Sequence, residues 1–546
     1  MKGKPEVQLV SGGKIWEHCF EKFIAKVYVP ECELCTDIVN YGFQAPYLMV
    51  FEERRQSPAE AVDFAKSSGL EDLAKRYGTS VAFFYPNCEG GWENAPDDMF
   101  ERIMDESRIS QYYEDGMAIL WDRFNKTWGD RYIRGAVLRT CLYGAGRSAD
   151  YLAKHCLKRK QGAGLYGPGD ITPVVVSLQG LSSLPEVEAK DIPVISVGNS
   201  AECNALLKKE VSHLLVKETA EYEKDYLEFS GNFRRMMGHL ETEVNPASVG
   251  MLREEGFETV VTSPDDNGDD RATRTHRIGY VAYCNKAALE SGKKLPTVMC
   301  FHGGGDSAMC MANLSGWSLV AHDHDFLLIS VENHLNSSAT ETVSMIEQLK
   351  KKYPIDEERI YATGFSMGGC KSWDMMQEYP KYFAAIAPMD ATFEVGLNAW
   401  GQPAVRLNQE TVLPVYYVGG EKTPLPELPF QAQKCVDRMQ YVFDVNRVKT
   451  AYGVSYEKQE EWKNKIWGID GDRVVSLSSP ERTGSILTLN LFYSEDGHCY
   501  TVFGSVNDQQ HEVRHHTCEH AWRFLSNFRR LADGSLTGDA GGTWEK

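Results

Sequence analysis

Six residues, Gly364-Phe365-Ser366-Met367-Gly368-Gly369, constrain the fold more than any other part of the chain, because of what flanks them. Before them, Arg359 to Thr363 is a β-branched and aromatic segment that predicts a strand. After them, Cys370 to Tyr379 has helical composition and stops at Pro380. A chain that passes from strand to helix through Gly-x-Ser-x-Gly turns so sharply that the residues beside the serine must lack bulk. The Ser366 hydroxyl is then held above the strand ends, at the N-terminus of a helix whose amides favour negative charge.

A second motif lies upstream. His302-Gly303-Gly304-Gly305 follows Leu295 to Phe301, an apolar run that predicts a buried strand. A glycine loop lets backbone amides approach an oxyanion closely, and an acyl-transfer site built on a serine needs such donors. The order of strand, glycine loop, strand, serine turn and helix is that of an α/β architecture with a serine nucleophile.

The remaining features bound the answer. At 546 residues the chain exceeds one ordinary core, so two or more domains are expected. No apolar run approaches the roughly 18 residues of a membrane span. The first residues lack the apolar core of a secretion signal, so a cytoplasmic location is expected. A formal charge of −19 argues against nucleic acid and anionic membrane as partners. Fourteen cysteines are scattered through predicted elements and read as reduced thiols. Cys32 and Cys35 form a lone C-x-x-C without the second pair that zinc would need. His515, His516 and His520 lack an accompanying carboxylate set and read as surface or supporting histidines, so no metal site is expected.

Internal similarity sets the domain organisation. Ser67 to Ala74 leads into Val81 to Tyr85 as Leu314 to Ala321 leads into Phe326 to Val331. Tyr47 to Phe51 matches Thr297 to Phe301, and Thr140 to Ala149 matches Ile360 to Gly369. Ile192 to Gly198 matches Leu413 to Gly419. The differences are chemical. The first half has Glu52-Glu53-Arg54-Arg55 where the second has its glycine loop, and Gly146 where the second has Ser366. Ser148, two residues further on, is expected to point into its helix. The chain thus reads as a nucleophile-free domain over 1–215, a helical connector over 216–249, and a catalytic domain over 250–535. Within that connector, Tyr222, Tyr226, Phe229 and Phe233 have helical spacing. Pro264 to Asp270 reads as an exposed loop, and Gly279 to Tyr283 as the strand that opens the second sheet. An insertion at about 439–487 carries Trp462 and Trp467 and reads as a lid or substrate wall.

A serine nucleophile needs a base and an acid, which follow it in chain order in this architecture. The acid belongs in the loop after the strand Val415 to Val418. Glu421 is the first choice because it lies nearest the strand end, with Glu427 and Asp390 as alternatives. Thr423 occupies the place where aspartate is commonest. The base belongs between the strand Tyr500 to Val506 and a helix running from about Thr517 to Phe528. His511 is best placed there, ahead of His515, His516 and the hairpin residue His498.

On these motifs, with Ile355 to Gly369 and Phe383 to Pro388, the second half resembles the polyhydroxybutyrate depolymerase and feruloyl esterase group of α/β-hydrolases. The resemblance implies two tandem α/β-hydrolase-like domains with the C-terminal one catalytic, the first being a degenerate copy. It also implies ester hydrolysis through an acyl-enzyme on Ser366, with His511 as base and the amides of Gly303, Gly304 and Met367 around the oxyanion. No cofactor is required. The expected partner is a small-molecule ester, such as a hydroxycinnamoyl or acetyl ester, and a homo-oligomer is left open. Other uses of the same residues are a peptidase, an acyltransferase or a non-enzymatic binding protein.

Overall fold

The computed structural model describes residues 7–32, 45–109, 133–158, 173–236, 239–262, 274–304, 307–332, 334, 337–399 and 401–545. Cys35, Gly305 and the loop 264–270 lie outside them. The chain divides into two compact units, the first ending at Val244 and the second beginning at Asn245.

The first unit is built on β1 (Val7–Val10), β2 (Gly13–Cys19), β3 (Phe23–Pro30), β4 (Pro46–Phe51), β5 (Val81–Pro86), β6 (Ala136–Ala145), β7 (Val175–Gln179), β8 (Val194–Val197) and β9 (Leu214–Lys217). They form one sheet in the order β1-β2-β3-β5-β4-β6-β7-β8-β9. The strands from β5 to β9 in that order are parallel, and β1 to β3 join antiparallel at one edge. A hairpin of β10 (Phe233–Met236) and β11 (His239–Thr242) completes the unit.

The second unit holds β12 (Met251–Thr262), β13 (Arg274–Asn285), β14 (Leu295–Phe301), β15 (Leu327–Val331), β16 (Ile355–Phe365), β17 (Ala385–Met389), β18 (Val415–Gly420), β19 (Arg473–Ser478), β20 (Ile486–Tyr493) and β21 (Cys499–Val506). Their order is β12-β13-β15-β14-β16-β17-β18-β21-β20-β19. The run β12-β13-β15-β14-β16-β17-β18-β21 repeats β2-β3-β5-β4-β6-β7-β8-β9 strand for strand, including the exchanged third and fourth positions and the sense of every pairing. Register agrees as well. Phe51 pairs with Gly144 as Phe301 pairs with Gly364, and both ladders slip near the start of β4 and β14.

Central strands are apolar throughout because helices cover both faces of a parallel sheet. All residues of β4 and β14 are buried. Along β6 the faces alternate, with Leu142 packing in one cluster and Cys141 and Tyr143 in the other. The helix Leu70–Tyr77 starts from Gly69 at φ 80°, and its counterpart Trp317–Asp323 starts from Gly316 at φ 78°. That left-handed entry explains the shared Ser-Gly in the two sequences.

Three expectations change. The second sheet opens with β12, one strand before Gly279 to Tyr283, and β12 was illegible because its edge position leaves Arg253, Glu254 and Glu255 facing solvent. The stretch 216–249 is divided in place of forming one connector. Its helix spans only Tyr222–Glu228, and Phe233 already lies in a strand. Tyr226 accepts from the buried Arg139 at 2.9 Å, and Arg235 donates to the Pro173 carbonyl, so this stretch packs into the first unit. Third, Trp467 is core. Its ring lies 5.1 Å from Phe503 and 5.7 Å from Tyr417, and Trp462 is tied through Nε1 to the Ser455 carbonyl. Apolar burial of the indoles wins over a place in an exposed wall.

Candidate active site

The junction between β16 and the helix Met367–Glu378 carries Ser366 at φ 53°, ψ −121°. A non-glycine residue at positive φ costs of order 1–3 kcal/mol and persists only where its surroundings enforce it. Here the enforcement is steric and polar. The Ser366 amide donates to Met389 O at 3.1 Å, at the end of β17. A Cβ on Gly364 would overlap the Gly368 carbonyl, and one on Gly368 would overlap the carbonyl of Phe301. Glycine is thus required at both places by close approach, and their φ is ordinary. Gly368→Ala is expected to destabilise the protein by about 3 kcal/mol or more, read as the shift in the urea midpoint. A shift below about 1 kcal/mol would mean that the elbow can open without cost.

The glycine loop lies directly against this turn. A methyl on Gly303 would stand 3.2 Å from the Phe365 ring and 3.6 Å from Ser366 Cβ, and one on Gly304 would stand 3.3 Å from Met367 Cγ. Two residues that sequence reasoning missed hold the loop from the end of β15. His334 Nε2 lies 2.6 Å from the His302 carbonyl, and Glu332 Oε2 accepts from the Ala308 amide at 3.0 Å. Burial and the neighbouring His302 push His334 well below the ordinary histidine range, so it is neutral and donates through Nε2. The available signal was their place just after a predicted strand, which by itself names no role.

His511 follows β21 and is buried, with its ring 4.6 Å from that of Phe365. Its Nδ1 lies 2.6 Å from Glu427 Oε1. Glu427 also accepts from Thr423 Oγ1 at 2.9 Å, and its amide donates to Gln431 Oε1. Glu421, the first choice from sequence, is turned the other way and accepts from Ser505 Oγ at 2.9 Å. The carboxylate against His511 is therefore Glu427, because the chain continues past the strand end and folds back before the acid appears. Asp390, the third alternative, is buried in the same cluster, with a carboxylate oxygen within 4.8 Å of one of Glu427. Burial pushes His511 below the ordinary histidine range, while Asp390 opposes that shift. His515 pairs with Glu481, His516 faces His520, and His498 sits beside Asp496.

One donor atom each from Asp390, Glu427 and His511 come within 4.8 Å of one another, a spacing that a cation could bridge. The Asp390 oxygens are already engaged by protein donors, namely the amides of Gly420 and Glu512 and the side chain of Gln509. The chemistry of this donor set fits proton handling beside a serine better than metal capture.

The first unit has the same turn without the hydroxyl. Gly146, between β6 and the helix Arg147–Leu157, has φ 55° and ψ −123°. Its amide donates to Gln179 O at 2.8 Å, as that of Ser366 does to Met389 O. Ser148 is buried, with Oγ donating to Phe51 O at 2.7 Å, so it faces back onto the strands. At the position of His302 stands Glu52, buried and paired with Lys26 at 2.9 Å. A Cβ on Gly146 would come 2.5 Å from Glu53 Oε1.

No family model matches the chain. Over 134 residues, 23% of the chain, it is 26% identical to a bifunctional acetylxylan esterase/xylanase of Neocallimastix patriciarum, of which the match covers 19%. Over 113 residues, 17% of the chain, it is 25% identical to poly(3-hydroxyalkanoate) depolymerase C of Paucimonas lemoignei, covering 27% of that protein. The chain thus spans about a fifth to a quarter of these relatives' lengths. Among solved structures, an acetyl xylan esterase from Aspergillus awamori aligns with a TM-score of 0.31 at 12% identity, over 50% of this chain and 99% of that one. The chain is similar to esterase-like α/β-hydrolases.

Proposed function

We propose that the second unit is a serine carboxylic ester hydrolase working through an acyl-enzyme, and that the first is a hydrolase-like unit without a nucleophile. The observation that carries this reading is the strained backbone of Ser366, with a glycine loop against it and, beside the adjoining Phe365 ring, a histidine with a carboxylate at its Nδ1. In the proposed reaction Ser366 Oγ attacks the ester carbonyl while His511 takes its proton. The amides of Met367, Gly303 and Gly304 receive the oxyanion. His511 returns the proton to the departing alcohol, and water then releases the acid by the same route. Glu427 orients the imidazole and stabilises its charged form.

The likeness to an acetylxylan esterase and a poly(3-hydroxyalkanoate) depolymerase favours an acetyl or hydroxyalkanoyl ester, and a soluble hydroxycinnamoyl ester is the further candidate. Among the described residues no helix is long and apolar enough to cross a membrane. The proposed substrates are small esters. The test is a fluorophosphonate probe, read by intact mass and peptide mapping, beside a panel of acetyl, feruloyl and 3-hydroxybutyryl esters and acyl-peptides. One adduct per chain on Ser366 and turnover of esters are expected. Peptide cleavage without ester turnover, or an adduct on Ser148, would overturn the reading.

The first unit supplies its own prediction. A Gly146→Ser, Ser366→Ala double variant should hydrolyse p-nitrophenyl acetate no faster than Ser366→Ala. The added serine would meet Glu53 on one side, and Glu52 occupies the place of the first oxyanion-loop residue. Turnover clearly above the Ser366→Ala background would mean that the first unit retains working oxyanion donors.

A further inference from the structure

We propose that Asp390 is a positioning carboxylate that holds one proton in common with Glu427, so that a single negative charge stands behind His511. The inference rests on the hydrolase reading above and extends it to a residue outside the expected three.

The geometry is specific. Asp390 follows β17 directly and has φ 44°, left-handed for a residue with a Cβ. Gly180 occupies the corresponding place after β7 in the first unit, at φ 64°. Their amides make equivalent bonds, Asp390 to Val418 O at 2.9 Å and Gly180 to Val197 O at 3.2 Å. The fold therefore asks for glycine at this point, and the second unit keeps an aspartate in spite of the strain. Four non-glycine residues with positive φ occur among the described residues, and two of them are Ser366 and Asp390. Strain at both points is accounted for if both side chains are needed where the backbone puts them.

The side chain is fixed on every side. Asp390 Oδ1 accepts from the Gly420 amide at 2.8 Å, and Oδ2 accepts from Gln509 Nε2 and the Glu512 amide, each at 3.2 Å. Gln509 also donates to the Glu512 carbonyl at 2.7 Å, so the same contacts hold the loop that carries His511. Asp390 and Glu427 are both buried, and one carboxylate oxygen of each lies within 4.8 Å of the other and of a ring nitrogen of His511. Two buried carboxylates this close cannot both ionise without strong repulsion, which favours one proton held by the pair. Burial raises both acids. The three donors and His511 favour charge on Asp390, and Thr423 and Lys434 favour it on Glu427, which is why the proton belongs to the pair.

The titratable and charged groups facing the pair come from four elements. They are His511 and Glu512 after β21, Lys434 and Cys435 on the helix Gln433–Val445, Tyr417 on β18 and Cys370 on the helix Met367–Glu378. Burial pushes Cys435 up to about 12 and raises Tyr417 and Cys370 as well, so these three stay neutral while the pair titrates. Lys434 is the cation among them and favours one ionised carboxylate.

The sign of the pH effect follows. At neutral pH the pair keeps its proton and Glu427 stays against His511. As the pH rises, loss of that proton puts two charges in contact, Glu427 is pushed away from His511, and the rate falls.

The experiment uses the full chain with p-nitrophenyl acetate as substrate, and infrared spectroscopy as a readout that needs no activity. At neutral pH the wild-type minus D390N difference spectrum should show the carbonyl stretch of a buried neutral carboxylic acid, a band that D390N has lost. D390N keeps a donor to Glu427 but loses one acceptor, so kcat should fall about 3- to 10-fold with KM unchanged, while D390A should lose about 100-fold. The alkaline fall of kcat/KM expected of wild type should be absent from D390N. The proposal is overturned if the infrared band persists in D390N, if the alkaline limb is unmoved, or if D390N loses as much as E427Q. Absence of ester turnover in wild type would instead sink the hydrolase reading, and the infrared comparison would still decide where the proton is.

Discussion

Ser366→Ala is expected to lower kcat for a soluble ester by roughly a million-fold, about 8 kcal/mol of barrier, with KM changed little. The size follows from what the residue supplies. Ser366 is half-buried at the turn, and in the proposed reaction its Oγ is the atom that bonds to the acyl carbon. Removing it leaves the glycine loop and the amide of Met367 able to polarise a carbonyl with no nucleophile to attack it. A residual rate above water is therefore expected, from the oxyanion donors alone. His511→Ala should fall nearly as far, and the Ser366→Ala, His511→Ala double variant no further, because the two act as one unit. Steady-state and burst kinetics with p-nitrophenyl acetate check all three. Multiplying losses in the double variant would show that the two residues work independently, and the acyl-enzyme scheme would then fail.

How much of this was legible in the sequence depended on whether the information was local. The elbow was, because Gly364 and Gly368 are required by contacts with one another and with the preceding strand, and those contacts leave a six-residue signature. The repeat was legible for the same reason. Each matched segment is a strand or a helix entry whose residues answer to their own neighbours, as with Gly69 and Gly316. The acid was not legible. Its position depends on how the chain from 421 to 431 folds back, which is set by Gln431, whose Oε1 accepts from the amides of Glu427 and Leu428. Thr423, standing where an aspartate was sought, turned out to donate to the acid. Trp467 shows the converse failure. Its sequence context is a polar insertion, and only the packing reveals that its ring completes the core beside Tyr417 and Phe503. Gly180 and Asp390 became comparable only once the two sheets could be laid strand against strand.

The second large effect separates the two glutamates. Glu427→Gln should lower kcat by about 10⁴-fold, while Glu421→Gln should stay within about threefold of wild type. The argument is one of charge and tautomer. In the proposed reaction His511 Nδ1 carries a proton, so that Nε2 is free to accept from Ser366, and Glu427, with Oε1 2.6 Å from Nδ1, is the carboxylate that favours this state. A glutamine can present its amide NH2 to Nδ1, and the imidazole then holds the wrong proton. It also withdraws the negative charge that stabilises the imidazolium formed during attack. Glu421 has neither function, since its carboxylate takes the Ser505 hydroxyl on another side of the strand end. The two variants each remove one carboxylate within the same loop, so a general loss from disturbing that loop would lower both rates alike. Measured kcat for p-nitrophenyl acetate at neutral pH decides between them. A loss confined to Glu427→Gln supports the acid inferred from geometry, and a loss confined to Glu421→Gln would return that role to the residue nearest the strand.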